Sequence, residues 1–338
     1  MLNPQMNCAI KILTAAVCCA TANSICSAQI DSCKSRDVPV IVRDSHGVPI
    51  DDLLPSDFVA KAKGREIKIS SIDSGTPPGR VVMLLDTSGS MNGTTNPGEW
   101  KLGLEILNHF ASKFSPRGQL ALLTFDTTVR QTIDFAEGND ATIAQLKKMR
   151  DGEAFSAKEI HGRTALFDAV HKGWQLLENA SSADAILVVT DGFDTASKLS
   201  PRDLERELLR TGVRFYVALI EDARMSYRVT PEGDQGPPVL KELADTTGGE
   251  VFGPAVSQDG KFLYYSPYKY NDEGRIEKAL MIFYEGLFHL KVLKLDIVAD
   301  PSKKAAEIDL KLSKSAQNKW KSATLTYQHV PVCAAKPN

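Results

Sequence analysis

The sequence has little net charge and no long apolar run after its N-terminal region, and both absences limit what the protein can be. Its 40 Lys and Arg nearly balance its 42 Asp and Glu, which gives a formal charge of -2. Such a chain has no broad positive field for nucleic acid. A membrane helix needs about 18 or more apolar residues in succession. We therefore expect a globular protein without a membrane span, and no nucleic acid as its partner.

Motifs of catalysis are missing as well. The sequence has no HExxH, no Gly-x-Ser-x-Gly and no phosphate-binding loop. These absences favour a binding or structural protein over an enzyme.

The N-terminus has the pattern of a secretory signal peptide. Lys11 precedes an apolar stretch over residues 12–22, and the small residues Ser27 and Ala28 follow. This order predicts cleavage after Ala28, hence a secreted or periplasmic protein of a bacterium. The alternative, a short buried helix, is less favoured because polar and small residues replace the apolar ones where a helix would continue.

Cleavage would leave two of the six cysteines, Cys33 and Cys333, near the two ends of the mature chain. Two thiols in an oxidising compartment predict a disulfide between them. The alternative is a pair of free buried thiols.

Three zones follow the signal peptide. Residues 29–79 contain short strands separated by turns and end in a linker of Pro and Gly. Residues 80–260 alternate continuous apolar runs with helical periodicity, which predicts a doubly wound, mostly parallel α/β sheet. Residues 261–338 open with an aromatic run at 262–270 and a helix at 273–288, then return to the period-two alternation of antiparallel strands. Together the outer zones predict a small discontinuous β-sandwich-like module into which the α/β domain is inserted.

Oxygen-bearing side chains lie where predicted strands of the α/β zone end. Asp86, Ser88 and Ser90 alternate after the first buried strand, Asp191 follows another, and Thr164 precedes a helix. Ligands of open parallel sheets bind at the carboxyl ends of the strands. Mg2+ prefers such oxygen ligands, with Mn2+ or Ca2+ as alternatives. Only two of the five groups carry charge, so a carboxylate of a partner could complete the site.

This pattern resembles the metal-ion-dependent adhesion site (MIDAS) of von Willebrand factor type A domains. The resemblance extends over residues 80–254 and matches that site at all five positions. It implies that Ser88, Ser90 and Thr164 coordinate Mg2+ through their hydroxyls, while Asp86 and Asp191 act directly or through water. The segment from Val42 to Phe58 also resembles the secreted bacterial proteins related to this family, although residues 61–64 depart from their pattern.

The resemblance implies an adhesion module that captures an acidic group of another protein or envelope component through Mg2+. Two alternatives remain: a metal-dependent hydrolase, and a structural envelope protein with a vestigial site. Two nearby residues have an ordinary interpretation as well. Asp194 is expected to cap a helix or face solvent, and His161 to be a surface residue and not a general base.

Overall fold

The computed structural model describes residues 35–75, 79–92, 99–154, 156–220, 236–252, 284, 287–296 and 307–329. The proposed signal peptide, Cys33, Cys333, the aromatic run 262–270 and most of the predicted helix 273–288 lie outside these residues. Their assignments stay predictions.

The chain forms twelve described strands and six described α-helices. In chain order they are β1 (Ser35–Arg43), β2 (Phe58–Ala62), β3 (Arg65–Ser74), β4 (Arg80–Asp86), α1 (Glu99–Phe114), β5 (Gln119–Phe125), β6 (Val129–Ile133), α2 (Asn139–Arg150), α3 (Leu166–Leu176), β7 (Ala185–Thr190), α4 (Pro201–Thr211), β8 (Arg214–Leu219), α5 (Gly236–Thr247), β9 (Val251–Phe252), β10 (Lys291–Asp296), β11 (Asp309–Leu312), α6 (Lys314–Lys319) and β12 (Thr324–Tyr327).

The central sheet has the strand order β6-β5-β4-β7-β8-β9. All of its pairings are parallel except that of β6 with β5. Helices α1 and α2 pack on one face, and α3, α4 and α5 pack on the other. The predicted doubly wound α/β fold is confirmed. Because β4 lies between β5 and β7, the residues that follow it are at the middle of the sheet.

Two glycines let helices approach β4 closely from opposite faces. A Cβ atom on Gly103 of α1 would lie 2.9 Å from side-chain methyl groups of both Leu85 and Val189. One on Gly173 of α3 would lie 3.1 Å from a methyl group of Val82. The absence of a side chain at these positions therefore fixes how near the helices lie to the strand that leads into the site.

The second sheet combines strands from both ends of the described chain, in the order β11-β2-β3-β10-β1-β12. All of its pairings are antiparallel. Inward side chains of these strands share one apolar core that includes Val40, Phe58, Leu293 and Leu310. We call these strands, with α6, the β-module.

The β-module contacts the central domain near the amino ends of β8 and β9. Arg43 Nη2 in β1 is 3.1 Å from Glu250 Oε2, directly before β9. The backbone N–H of His329 donates to the carbonyl of Thr246 at 2.8 Å. Since β9 is parallel to its neighbour, these contacts lie at the end of the sheet where the parallel strands begin, opposite their carboxyl ends.

Some elements differ from expectation. Strand β6 was not predicted, because its Val-Arg-Gln-Thr-Ile sequence is that of a polar edge strand, and α6 was not predicted either. Strand β10 begins at Lys291, four residues before the alternation that predicted it. Among the described residues, no helix combines the length and hydropathy of a membrane span.

Replacing Gly103 with Val tests the close packing of α1 on β4. The added atoms would meet Leu85 and Val189 in a filled core, so we expect a loss of about 1–3 kcal/mol in the free energy of unfolding. Urea denaturation measures it. Glu105→Val is the matched control, because it places the same β-branched residue at an exposed position of the same helix. Equal losses in the two variants would show that helix propensity, not packing, causes the effect.

Candidate metal centre

The register of two neighbouring strands brings the acidic residues of the site together. Strands β4 and β7 are parallel and hydrogen-bonded, with Leu85 opposite Val189. Asp86 is the last residue of β4, and Asp191 directly follows β7. Their side chains therefore lie next to each other, at the carboxyl ends of two adjacent strands.

Asp86 is fully buried and held by two hydrogen bonds. Its Oδ1 accepts from the backbone N–H of Ser88 at 2.8 Å, and its Oδ2 accepts from the Thr190 hydroxyl at 2.6 Å. The first bond folds the chain back at the strand end, and the second joins β4 to β7. Both fix the orientation of the carboxylate.

The two serines lie between Asp86 and solvent. Ser88 is buried and Ser90 is exposed, and their hydroxyl oxygens are 3.1 Å apart. The Ser90 hydroxyl also hydrogen-bonds the partly buried Asp191 carboxylate. Oxygen atoms of Asp86, Ser88, Ser90 and Asp191 thus form one connected group that is open to solvent on one side.

The loop of Thr164 is hydrogen-bonded directly to the loop of the two serines. The N–H of His161 donates to the Thr87 carbonyl at 3.1 Å, and that of Gly89 donates to the Gly162 carbonyl at 3.1 Å. Thr164 is buried, and its N–H donates to the Thr195 hydroxyl at 3.0 Å. The structure therefore places Thr164 on a loop that hydrogen bonds join both to the loop of Ser88 and Ser90 and to Thr195.

Gly162 makes this contact possible. Its backbone has a φ of +89°, and a Cβ atom there would lie 3.1 Å from Asp126 Oδ2. A residue with a side chain would be strained at this φ and crowded by the carboxylate.

The electrostatics of the two carboxylates are unfavourable without a cation. Burial raises the pKa of Asp86 to about 7, and the charge of Asp191 adds to the rise. Burial raises the pKa of Asp191 as well, against hydrogen bonds from Ser90 and Phe193. Two like charges in a desolvated site favour protonation of one carboxylate, or the binding of a cation that neutralises both.

The donor set fits a hard divalent cation. It consists of carboxylate and hydroxyl oxygens, which are the ligands of Mg2+. Within the described part of the chain, no three His, Cys, Asp or Glu side chains form a group that could hold a metal. A cation at the strand ends would therefore combine two carboxylates with hydroxyl oxygens, as the sequence pattern indicated.

Sequence reasoning missed an ion pair beside the site. Asp126 directly follows β5, is buried, and pairs with Arg130 of β6. Its backbone carbonyl accepts from Ala165 N–H at 2.7 Å, which supports the Thr164 loop. The available signal was its position, since Asp126 follows β5 just as Asp86 follows β4.

The structure also shows where Asp194 and His161 lie, the two residues near the site that were expected to be a helix cap or solvent-exposed and a surface residue. Asp194 Oδ2 accepts from the N–H of Phe167 in the first turn of α3 at 3.2 Å, so its helix-capping interpretation is confirmed. His161 has a largely exposed side chain, with its Nδ1 3.0 Å from Arg130 Nη2. The expected surface location of this histidine is confirmed.

Comparison with known proteins identifies the central domain. Residues 81–193 match the von Willebrand factor type A domain. The chain therefore carries a von Willebrand factor type A domain, and the family resemblance seen in its sequence is confirmed. None of the curated proteins compared with the chain matches it.

Several solved structures are similar to the chain. The conserved hypothetical protein BatB from Bacteroides thetaiotaomicron is 13% identical, with a TM-score of 0.43 over 62% of this chain and 98% of that one. A von Willebrand factor type A protein from Catenulispora acidiphila is 12% identical, with a TM-score of 0.41 over 90% of this chain and 75% of that one. Proximal thread matrix protein 1 from the mussel byssus is 16% identical, with a TM-score of 0.42 over 65% and 49% of the two chains.

The raised pKa of Asp86 predicts a pH dependence of stability in the metal-free protein. Between pH 3.8 and about 7, folded Asp86 keeps a proton that the unfolded chain has released. This contribution to stability is complete below pH 3.8 and is lost as the pH rises to about 7. The loss has a limiting slope of about 1.4 kcal/mol per pH unit.

Urea denaturation in chelator at a series of pH values measures this slope. Because other groups titrate too, the wild type is compared with Asp86→Asn, which resembles the protonated form at every pH. We expect the wild type to lose stability relative to the variant as the pH rises. Parallel curves for the two proteins would contradict the shift.

Proposed function

We propose that this protein is a non-enzymatic adhesion module, in which one Mg2+ ion captures an acidic group of a partner protein or envelope component. Von Willebrand factor type A domains are commonly metal-dependent protein-interaction modules. The five proposed ligands, the MIDAS residues, are Asp86, Ser88, Ser90, Thr164 and Asp191.

One observation carries the proposal: the carboxylates of Asp86 and Asp191 repel each other in a desolvated place at the strand ends. Hydroxyl oxygens of Ser88 and Ser90 border the same place. The energetic cost of this arrangement is removed when a divalent cation binds, and the exposure of Ser90 gives the cation access to solvent.

The charge of the ligand set suggests what the module binds. Two carboxylates carry at most the two negative charges that neutralise one divalent cation. Because the hydroxyl ligands are neutral, the cation stays a strong Lewis acid. Mg2+ takes six oxygen ligands and usually keeps several waters. A carboxylate from a partner can replace one of these waters, which joins the two proteins through the ion.

The proposal includes an extracytoplasmic location in a bacterium. Its support is the signal-peptide pattern that ends at Ala28. An oxidising compartment would then allow the predicted Cys33–Cys333 disulfide to form. The acidic partner would then be a component of the envelope or a secreted protein.

Removing the charge of Asp86 should abolish metal binding. We expect calorimetry to show one Mg2+ or Mn2+ site per chain in the wild type, and at least a hundredfold weaker binding in Asp86→Asn. Asp194→Asn is the control, because Asp194 is close to Asp191 in sequence but its carboxylate bonds α3. Absence of binding heat in the wild type would instead support a structural protein with a vestigial site.

Partner capture is tested separately from metal binding. Immobilised wild-type protein is incubated with an extract of the bacterial envelope. It should retain an envelope component in Mg2+ and release it in chelator, whereas Asp86→Asn should not retain it. Blocking the carboxylates of the extract by amidation should also prevent retention. Capture that persists in chelator, or after amidation, would refute the carboxylate-to-metal contact while leaving the metal site intact.

The enzymatic alternative predicts a different outcome. A hydrolase would release product from phosphoester or peptide substrates in Mg2+, and Asp191→Ala would abolish that activity. We expect no such difference between wild type and variant. His161, the residue considered as a general base, has its imidazole in contact with the guanidinium of Arg130.

A further inference from the structure

Basic side chains border the proposed metal site on the side of β5. Asp86 at the end of β4 lies opposite Phe125 at the end of β5, so the loop after β5 begins beside the site. On the neighbouring loop, the exposed Arg163 directly precedes the buried Thr164. The exposed basic residues on this side of the site, which we call the basic rim, are Arg130, His161 and Arg163.

Hydrogen bonds fix where Arg163 lies relative to the site. Its N–H donates to the Thr127 hydroxyl at 3.1 Å, and that hydroxyl donates to the Arg163 carbonyl at 3.3 Å. On the same loop, the Gly162 carbonyl accepts from the N–H of Gly89 at 3.1 Å. Arg163 is therefore held one residue from the proposed metal ligand Thr164, on a loop that is bonded to its neighbours on both sides.

A buried carboxylate orients the other two members of the basic rim. Asp126 is 2% exposed and pairs with Nη2 of Arg130, whose side chain is 32% exposed. The same nitrogen lies 3.0 Å from Nδ1 of His161, and since a guanidinium can only donate, the imidazole nitrogen accepts. Asp126 thus neutralises Arg130. Of the two arginines, Arg163 is the one that a charged group from outside would meet.

The proposed metal and Arg163 would bind the same kind of group. A carboxylate is the partner ligand proposed for the metal, and a guanidinium binds a carboxylate through two parallel hydrogen bonds. In an extended protein segment, side chains two positions apart point to the same side and are about 7 Å from each other. One carboxylate of such a segment could therefore bind the metal while a second reaches the arginine next to Thr164.

We propose that the partner supplies two carboxylates from one extended protein segment, the first to the metal and the second to the guanidinium of Arg163. This inference rests on the function proposed above and adds a requirement for the partner, which is a pair of acidic residues a few positions apart. A segment with a single acidic residue would bind the metal without the second contact, and hence more weakly. Because Arg163 is exposed, salt would screen its contribution.

Fluorescence anisotropy with rhodamine-labelled peptides tests the second contact, with the full chain in saturating Mg2+. One peptide of Gly and Ser carries a single Asp, and matched peptides carry a second Asp two, three or four positions away. We expect the wild type to bind the best two-Asp peptide about fivefold more tightly than the one-Asp peptide, which corresponds to about 1 kcal/mol. This preference should decrease at high salt.

Substitutions of Arg163 identify the residue responsible. Arg163→Gln should bind the one-Asp and two-Asp peptides equally well, and Arg163→Glu should prefer a peptide in which Lys replaces the second Asp. Arg206→Gln is the matched control, because it removes an exposed arginine from α4 and should keep the wild-type preference. A reversed preference in Arg163→Glu cannot result from a general loss of structure.

Two results would overturn the inference, and they differ in what they mean for the proposed function. If the one-Asp peptide binds in Mg2+ but the second Asp adds nothing, or adds the same in wild type and Arg163→Gln, the second contact is wrong and capture through the metal remains. If neither peptide binds better in Mg2+ than in chelator, the proposed function fails, and this inference fails with it.

Discussion

The pairing of β4 with β7 is the constraint on which the candidate site depends. Because these strands are parallel and adjacent, their carboxyl ends coincide, and Asp86 and Asp191 must share one desolvated place. The apolar packing of helices on both faces stabilises the sheet and so holds the two charges together. The folding energy of the central domain thus maintains a local repulsion that a bound cation would relieve.

The loops around the site are held in a similar way. Main-chain hydrogen bonds join the Ser88 loop to the Thr164 loop, and the Thr164 loop to the segment after β7. The Asp126–Arg130 ion pair supports the Thr164 loop from the side of β6. A metal would therefore meet ligands that are already oriented, and little conformational entropy would be lost on binding.

Much of this arrangement could be predicted from the sequence, for physical reasons. Strands buried on both faces must be apolar throughout, so the run at 81–85 and the runs that follow indicated a parallel sheet. Polar residues directly after such runs must lie at the strand ends, which predicted where Asp86 and Asp191 are. The edge strand β6 was missed because one side of it meets solvent, which leaves Arg130 where a buried strand would be apolar.

The buried arginines between the β-module and the central domain could not have been predicted. Arg43 in β1 and Arg214 in β8 are both buried although they lie far apart in the sequence. In the sequence each looks like an ordinary surface residue next to a strand. Only the return of the C-terminal strands to β1, and the docking of that sheet on β8 and β9, buries them. Long-range contact of this kind has no local pattern in the sequence.

The antiparallel pairing of β1 with β12 has a mechanical consequence. Val40 lies opposite Tyr327 and Arg43 opposite Thr324, so the start of β1 and the end of β12 point in the same direction. Tension between the segments before β1 and after β12 would load this strand pair in peeling and not in shear, because both segments leave the sheet at the same end. The predicted Cys33–Cys333 disulfide would join these two segments, so a covalent bond and not the hydrogen bonds between β1 and β12 would carry such a load.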